Sequence, residues 1–203
     1  MFYEPHARDP RLKHDPFKAI VSPRPIGWIG TVSSSGVRNL APYSFFAAIA
    51  DVPPLVMFSS SGRKDTQANV EQSGEFTASL AGRALLEAMN LSSAAAPPDV
   101  DEFALAGLTA VQGHLVAAPY VAAAYAALEC RVVEIKPLHG LDGVPSVNTM
   151  VIGQVVGVHI RDEAIREGRL DMELARPLGR LGYMDYCDAG SVFELFRPKW
   201  PPV

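Results

Sequence analysis

The chain has 203 residues, of which 48% are hydrophobic and 20% charged, a composition typical of one soluble globular domain spanning residues 1–203. The formal net charge is -4 and no block is rich in lysine or arginine, which argues against nucleic acid and anionic membrane surfaces as partners. No apolar run is long enough to span a membrane, and two cysteines are too few for a disulfide framework, so we expect a cytoplasmic protein.

Short strands dominate the predicted elements, with a few short helices between them. In chain order the pattern predicts a strand at 26–33, a strand at 55–58, a helix at 65–73, a strand at 76–80, helices at 83–90 and 99–106, strands at 128–135 and 150–160, and a helix at 162–167. Asp65 and Gly74 suit the start and stop of the first helix, and Asp99 with Glu102 resembles a capping box in the third. Many short strands without β-α-β alternation predict a mainly β fold, a barrel with helical decorations.

The last predicted strand carries Gly153, Gly157 and His159 on one face. Glycines on one face of a strand indicate the close approach of a ligand or of another backbone. A lone strand histidine is either a hydrogen-bonded structural group or a ligand contact, and the sequence leaves both interpretations open for His159.

Several common chemistries lack their motifs in this sequence. It contains no G-x-x-x-x-G-K-[ST] for a nucleoside triphosphate, no G-x-G-x-x-G after a strand, and no G-x-S-x-G for a hydrolase nucleophile. The five histidines lack metal-ligand spacing, so we predict no metal site.

A segment suited to phosphate leads into the first predicted helix. Three serines are followed by Gly62, Arg63 and Lys64, and the helix start adds unpaired backbone N–H groups and a positive dipole end. Asp65 would repel a phosphate unless its carboxylate turns back onto its own helix. The alternative is a polar loop that caps a surface helix, with Arg63 and Lys64 solvated.

Residues 38–46 combine two phenylalanines and a proline with amide and hydroxyl side chains. Aromatic rings with a few polar groups suit a planar heteroaromatic ligand. The alternative is a strand whose aromatic side chains belong to the core.

Short motifs follow one another in order along nearly the whole chain. They are HDPF at 14–17, PRPIGWI at 23–29, NLAPYSFF at 39–46, DVPP at 51–54, KDT at 64–66, GEF at 74–76, LEC at 128–130, GQVVGVH at 153–159 and RLGY at 180–183. Each is weak alone, but their ordered combination resembles the flavin reductase-like family, whose fold is an FMN-binding split β-barrel.

The resemblance implies FMN bound at the interface of a homodimer. The motif at 39–46 would line the isoalloxazine ring, and residues 59–66 would hold the phosphate, while Arg24 and Thr31 would pack near the flavin or support these loops. The implied cofactor-binding residues are Thr31, Asn39, Ala41, Pro42, Tyr43, Ser44, Phe45, Ser59, Ser60, Arg63, Lys64 and Thr66.

The chemistry implied by the resemblance is hydride transfer from NADH or NADPH to the flavin, which could then supply a partner monooxygenase. The resemblance implies His159 as the catalytic candidate, which we expect to contact the nicotinamide or the flavin edge. Two further functions stay open: an FMN-bound electron carrier of the flavoredoxin kind, which has no nicotinamide site, and a flavin-binding barrel without enzymatic activity.

The chain departs from the family pattern at two places. Relatives commonly have Ser where Gly30 stands, and Val-Asn where Ala78 and Ser79 stand. We expect any flavin contacts of those side chains to be made differently or lost here.

Overall fold

The computed structural model describes residues 1–200, and the architecture is mainly β, as the sequence predicts. The strands are β1 (Arg24–Pro25), β2 (Gly27–Val32), β3 (Arg38–Tyr43), β4 (Phe46–Asp51), β5 (Pro54–Ser61), β6 (Glu75–Leu80), β7 (Ala110–Gln112), β8 (Pro119–Val121), β9 (Ala126–His139), β10 (Pro145–Ile160), β11 (Ile165–Arg166), β12 (Arg169–Leu170), β13 (Leu178–Arg180) and β14 (Tyr186–Asp188). The α-helices are α1 (Phe17–Ile20), α2 (Asp65–Ser73), α3 (Leu86–Leu91), α4 (Glu102–Leu105) and α5 (Met172–Ala175). Within residues 1–200, no helix is long and apolar enough to cross a membrane.

The main sheet has seven antiparallel strands in the order β3-β2-β6-β9-β10-β5-β4. Its two edge strands, β3 and β4, are consecutive in the chain and are separated only by Ser44 and Phe45. So short a link requires the sheet to curl until its edges lie side by side. We call this place the seam; there the Ser59 N–H also donates to the Phe45 carbonyl at 2.9 Å. The predicted barrel is confirmed.

Two hydrophobic clusters fill the fold, one on each side of β2. Trp28 and Leu40 belong to the first cluster, while Ile29, Phe58 and Phe76 belong to the second. Strand β2 is therefore buried on both faces, because successive side chains of a strand point in opposite directions.

The phosphate-friendly segment differs from its prediction in one respect. Strand β5 continues to Ser61, so the three serines lie in the strand, and the turn is confined to residues 62–64, with Gly62 at φ 74°. Helix α2 is confirmed at 65–73 and ends at Gly74 in the left-handed conformation. Its N-cap residue is Lys64 rather than Asp65.

The other predicted helices are shorter than expected. Residues 83–90 divide into a 3-10 turn and α3. In α4 the cap is Asp101, whose carboxylate accepts the N–H groups of Phe103 and Ala104, so the predicted role of Asp99 is wrong.

The helix predicted at 162–167 is wrong. Residues 162–164 form one 3-10 turn, after which β11 and β12 make a hairpin. Its two loop residues, Glu167 and Gly168, have φ of 52° and 74°. Positive φ at both positions is the geometry of a tight hairpin turn, and it stops a helix.

Candidate functional site

A cavity of about 520 Å³, the first cavity, lies at the seam between β3, the 44–45 link, the end of β5 and the start of α2. Ten of the twelve predicted cofactor-binding residues line it. They are Asn39, Ala41, Pro42, Tyr43, Ser44, Phe45, Ser59, Arg63, Lys64 and Thr66. Two segments that the sequence analysis treated separately thus form one concave site.

The remaining two predicted residues lie behind the wall of the first cavity. Buried Thr31 accepts hydrogen bonds at 3.0 Å from the side-chain amides of Asn39 and Asn69. The Asn39 amide also donates to the Thr66 hydroxyl at 2.9 Å. Buried Ser60 donates to the Gly62 carbonyl at 2.9 Å. Thr31 and Ser60 therefore support the site rather than line it.

The start of α2 gives the first cavity a positive end. Lys64 provides no side-chain cap, and the first intrahelical bond runs from the Ala68 N–H to the Lys64 carbonyl. The three N–H groups before Ala68 therefore lack helical acceptors and carry the positive end of the helix dipole.

The two cations of this segment differ. The Arg63 guanidinium pairs with Glu71 at 2.8 Å, whereas Lys64 makes no ion pair within residues 1–200. The Asp65 carboxylate also lines the cavity, and within the same residues it forms no hydrogen bond to its own helix. The condition under which Asp65 would not repel an anion is therefore not met, and Lys64 is the cation that offsets it.

The Tyr43 hydroxyl is a buried polar group of the first cavity wall without a hydrogen bond of good geometry in residues 1–200. Burial raises its pKa, and the nearby hydroxyls of Thr66 and Ser60 lower it only in part. The oxygen has almost no exposed area, so the hydroxyl lies behind the cavity surface, near the hydroxyls of Thr66 and Ser60.

Sequence reasoning missed one wall of this cavity, residues 92–96. Its serines and alanines carry no chemical signal that points to a ligand. Its position depends on a long-range bond: the Trp28 indole N–H donates to the Ser92 hydroxyl at 2.9 Å, which itself donates to the Met89 carbonyl. Glu102 was also missed; burial raises its pKa, and it accepts the Leu40 N–H.

His159 does not line the first cavity. It lies in the wall of a second cavity of about 540 Å³, between residues 111–125 and the paired ends of β9 and β10. Its ring stacks on Tyr120 with a centroid distance of 4.3 Å and meets the His114 ring edge-on at 5.0 Å. The second cavity shares no lining residue with the first within residues 1–200.

Glu129, a second residue that the sequence analysis missed, lies beside His159. Its side chain is 1% exposed and accepts the backbone N–H groups of His114, Leu115 and Val116 at 2.7, 2.6 and 3.0 Å. The His159 Nε2 lies 2.5 Å from its Oε1. Burial alone would raise the pKa of Glu129, but these N–H groups and His159 lower it to about 2.

The glycines of β10 accommodate side chains of neighbouring strands. A Cβ on Gly153 would lie 2.5 Å from the Phe76 ring, and one on Gly157 would lie 3.3 Å from Glu129. The predicted close approach is real, and side chains of neighbouring strands rather than their backbone make it. At Gly30 a Cβ would lie 2.1 Å from the Pro119 carbonyl, so this chain has no room for the serine common in relatives.

Arg24 has a structural role. Its buried guanidinium donates to the backbone carbonyls of Lys18, Val21 and Leu181, and so ties the N-terminal segment to the chain after β13. It lines neither cavity.

Comparison with known proteins gives a consistent result. The model of the family described as "Flavin reductase like domain" matches residues 21–184. An uncharacterized protein of Halalkalibacterium halodurans is 37% identical over 183 residues, covering 88% of this chain and 87% of its own. Nitrilotriacetate monooxygenase component B from Bacillus cereus has a TM-score of 0.86 and 31% identity, covering 96% and 98% of the two chains. For Pseudomonas fluorescens 2-nitrobenzoate 2-nitroreductase, the TM-score is 0.84 at 26% identity, with 100% and 99% covered.

Proposed function

The chain belongs to the flavin reductase-like family, and we propose that it is an oxidoreductase that binds FMN in the first cavity and reduces it with NADH or NADPH. One observation carries the proposal: the fold brings the residues of 39–45 and 59–66 into one cavity with a positive helix start at one end. Its volume of about 520 Å³ suits a small-molecule site.

The residues present fit a phosphate-bearing flavin. The α2 N–H groups, Lys64 and the Ser59 and Thr66 hydroxyls would hold the phosphate, because such groups favour an anion at a helix start. Pro42 and Phe45 would pack against the planar ring.

Bound FMN would supply the redox chemistry, by accepting a hydride from the nicotinamide and passing the electrons on. The protein's part is to bind and orient the flavin. The Thr31–Asn39–Thr66 network connects β2, β3 and α2, so the ring side and the phosphate side of the cavity are held at a fixed separation. A hydride passes only between rings in contact, so His159 would contact the nicotinamide only where the nucleotide reaches from the bound flavin into the second cavity.

We propose that the chain forms a homodimer. An apolar groove of about 330 Å³ runs beside Phe46, Leu128 and Leu178. At its rim Val158 is 61% and Ile160 42% exposed. An apolar surface of this kind supports association with a second copy. A dilute sample that elutes with a mass near 21.8 kDa while flavin is bound would contradict this.

We also propose a partner monooxygenase as one acceptor of the electrons. The proposal rests on the 31% identity with a protein described as a monooxygenase component. Such a partner would receive reduced flavin rather than share a large stable interface.

Anaerobic mixing with NADH or NADPH tests the function. We expect a yellow protein that releases about one FMN per chain on denaturation and bleaches when the nicotinamide is added. A yellow protein that neither nucleotide bleaches would indicate the electron carrier. A colourless protein that does not bind added FMN would refute the proposal.

A further inference from the structure

Glu129 and His159 form a directed hydrogen bond at the wall of the second cavity. The pKa of Glu129 is about 2, so the carboxylate is deprotonated at neutral pH and can only accept hydrogen bonds. The His159 Nε2, 2.5 Å from Oε1, must therefore carry the proton of this bond. The other ring nitrogen, Nδ1, has no partner within residues 1–200 and is not among the buried unpartnered atoms there, so it is open to the cavity.

Glu129 itself is held rigidly. Three backbone N–H groups and His159 supply four donors to its two oxygens, which uses the whole acceptor capacity of a carboxylate. A metal ion could bind the convergent His114, Glu129 and His159 only by breaking one of these bonds. Tyr120, stacked on the His159 ring at 24°, fixes the ring plane. The histidine is thus held in position and in ring orientation.

We propose that Glu129 is a positioning residue that keeps the Nε2–H of His159 in its hydrogen bond and so presents the other ring nitrogen, Nδ1, to the second cavity as a contact for a polar ligand group. The ligand assignment rests on the proposed function, under which that group is the carboxamide of the nicotinamide ring. The orientation itself rests on the geometry of the Glu129–His159 pair alone.

Long-range ¹H–¹⁵N NMR of the ¹⁵N-labelled protein tests the orientation without any ligand, with the His159 signals assigned by their loss in His159→Asn. At a pH where the ring is neutral, we expect one form, with the proton on Nε2. In Glu129→Gln the amide NH₂ can donate to Nε2, so we expect the equilibrium to shift toward Nδ1–H. An Nδ1–H form or a mixture in the wild-type protein overturns the proposal, as does an unchanged form in Glu129→Gln.

Glu75→Gln is a matched control. The Glu75 carboxylate accepts the Ala117 N–H at 2.8 Å, so it braces the same loop as Glu129, but it does not touch His159. It should leave the His159 signals unchanged; an equal shift in this variant would show that loop structure, not Glu129, sets the ring. If Glu129→Gln does not fold, the spectra of the wild-type protein and of Glu129→Asp still test whether Glu129 sets the position of the proton on the His159 ring.

Steady-state kinetics with NADH test the ligand. We expect Glu129→Gln to raise KM about three- to tenfold, with a smaller change in kcat, since one neutral hydrogen bond is lost. In a His159→Asn background the same change should add nothing. An unchanged KM with a shifted ring form overturns the nicotinamide assignment. If the wild-type protein oxidises neither NADH nor NADPH, the proposed function is refuted, while the NMR result stands apart.

Discussion

Replacing Lys64 with alanine removes the cation at the start of α2 that has no counter-ion among residues 1–200. The side chain lines the first cavity and is exposed, whereas its neighbour Arg63 already pairs with Glu71. Lys64→Ala should therefore weaken a ligand that carries a phosphate, and Arg63→Ala serves as the matched control.

The magnitude follows from the exposure of Lys64. Two unit charges about 4 Å apart attract each other by about 1 kcal/mol in a water-like dielectric. A phosphate monoester carries about 1.5–2 negative charges at neutral pH, so the loss is about 1.5–2 kcal/mol. This loss corresponds to a Kd for FMN that is about 10- to 30-fold higher. We expect less than about threefold for Arg63→Ala, because an exposed ion pair already occupies that side chain.

Quenching of flavin fluorescence by the apoprotein measures both affinities. Riboflavin, which lacks the phosphate, should bind wild type and Lys64→Ala nearly equally. The FMN difference should shrink at about 1 M salt, where the screening length falls to about 3 Å. Equal losses for FMN and riboflavin would refute the phosphate assignment, and no loss for either would show that Lys64 is a solvated charge.

Three further substitutions test the packing. Gly30→Ala places a Cβ 2.1 Å from the Pro119 carbonyl and should lower the unfolding free energy by at least about 1–3 kcal/mol. As a control, Gly140→Ala places its Cβ no nearer than 3.7 Å to the atoms around it and should lower the unfolding free energy by less than about 0.5 kcal/mol. Equal urea midpoints for the two variants would contradict this. The pKa of Glu129 is lowered from 4.5 to about 2, so the carboxylate contributes roughly 3 kcal/mol to the unfolding free energy above pH 4.5, and this contribution is lost as the pH falls toward 2. In urea titrations at pH 6 and pH 3, Glu129→Gln should therefore lose less stability than the wild-type protein. Equal losses in the two proteins would refute this contribution. Arg24→Met leaves three backbone carbonyls without their donor and should lower stability by about 2–3 kcal/mol, seen as a lower Tm; an unchanged Tm would remove its structural role.

Local patterns predicted those elements whose causes are local. Helix α2 followed from its polar start and from Gly74, since a left-handed glycine ends a helix wherever it occurs. The helix predicted at 162–167 is wrong because Glu167 adopts a positive φ. A glutamate in the sequence gives no indication of such a conformation. Propensity is a weak guide where a turn is set by the pairing of the flanking strands.

The candidate site also has parts that the sequence predicts and parts that depend on long-range contacts. The residues at 39–45 and 59–66 could be predicted because their motifs resemble those of the flavin reductase-like family, and their amides, hydroxyls and cations suit a phosphate-bearing aromatic ligand. The wall at 92–96 could not, because alanines carry no such signal and the segment is anchored to Trp28, 64 residues away. The Glu129–His159 pair depends on the register of β9 and β10, which shifts between Val155 and Gly157. A bulge of that kind is a property of two strands together.

The seam has a thermodynamic consequence for any occupant of the first cavity. The cavity walls come from β3, at one edge of the sheet, and from β5, next to the other edge, and the chain joins the two edges through only Ser44 and Phe45. A bound molecule that touches both walls stabilises the closed barrel. Its binding free energy adds to the free energy needed to separate the two edges, so a smaller fraction of the molecules has open edges. Amide hydrogens of β3 and β4 would therefore exchange more slowly as the ligand concentration rises above its Kd. Release of the ligand and opening of the barrel would be coupled equilibria.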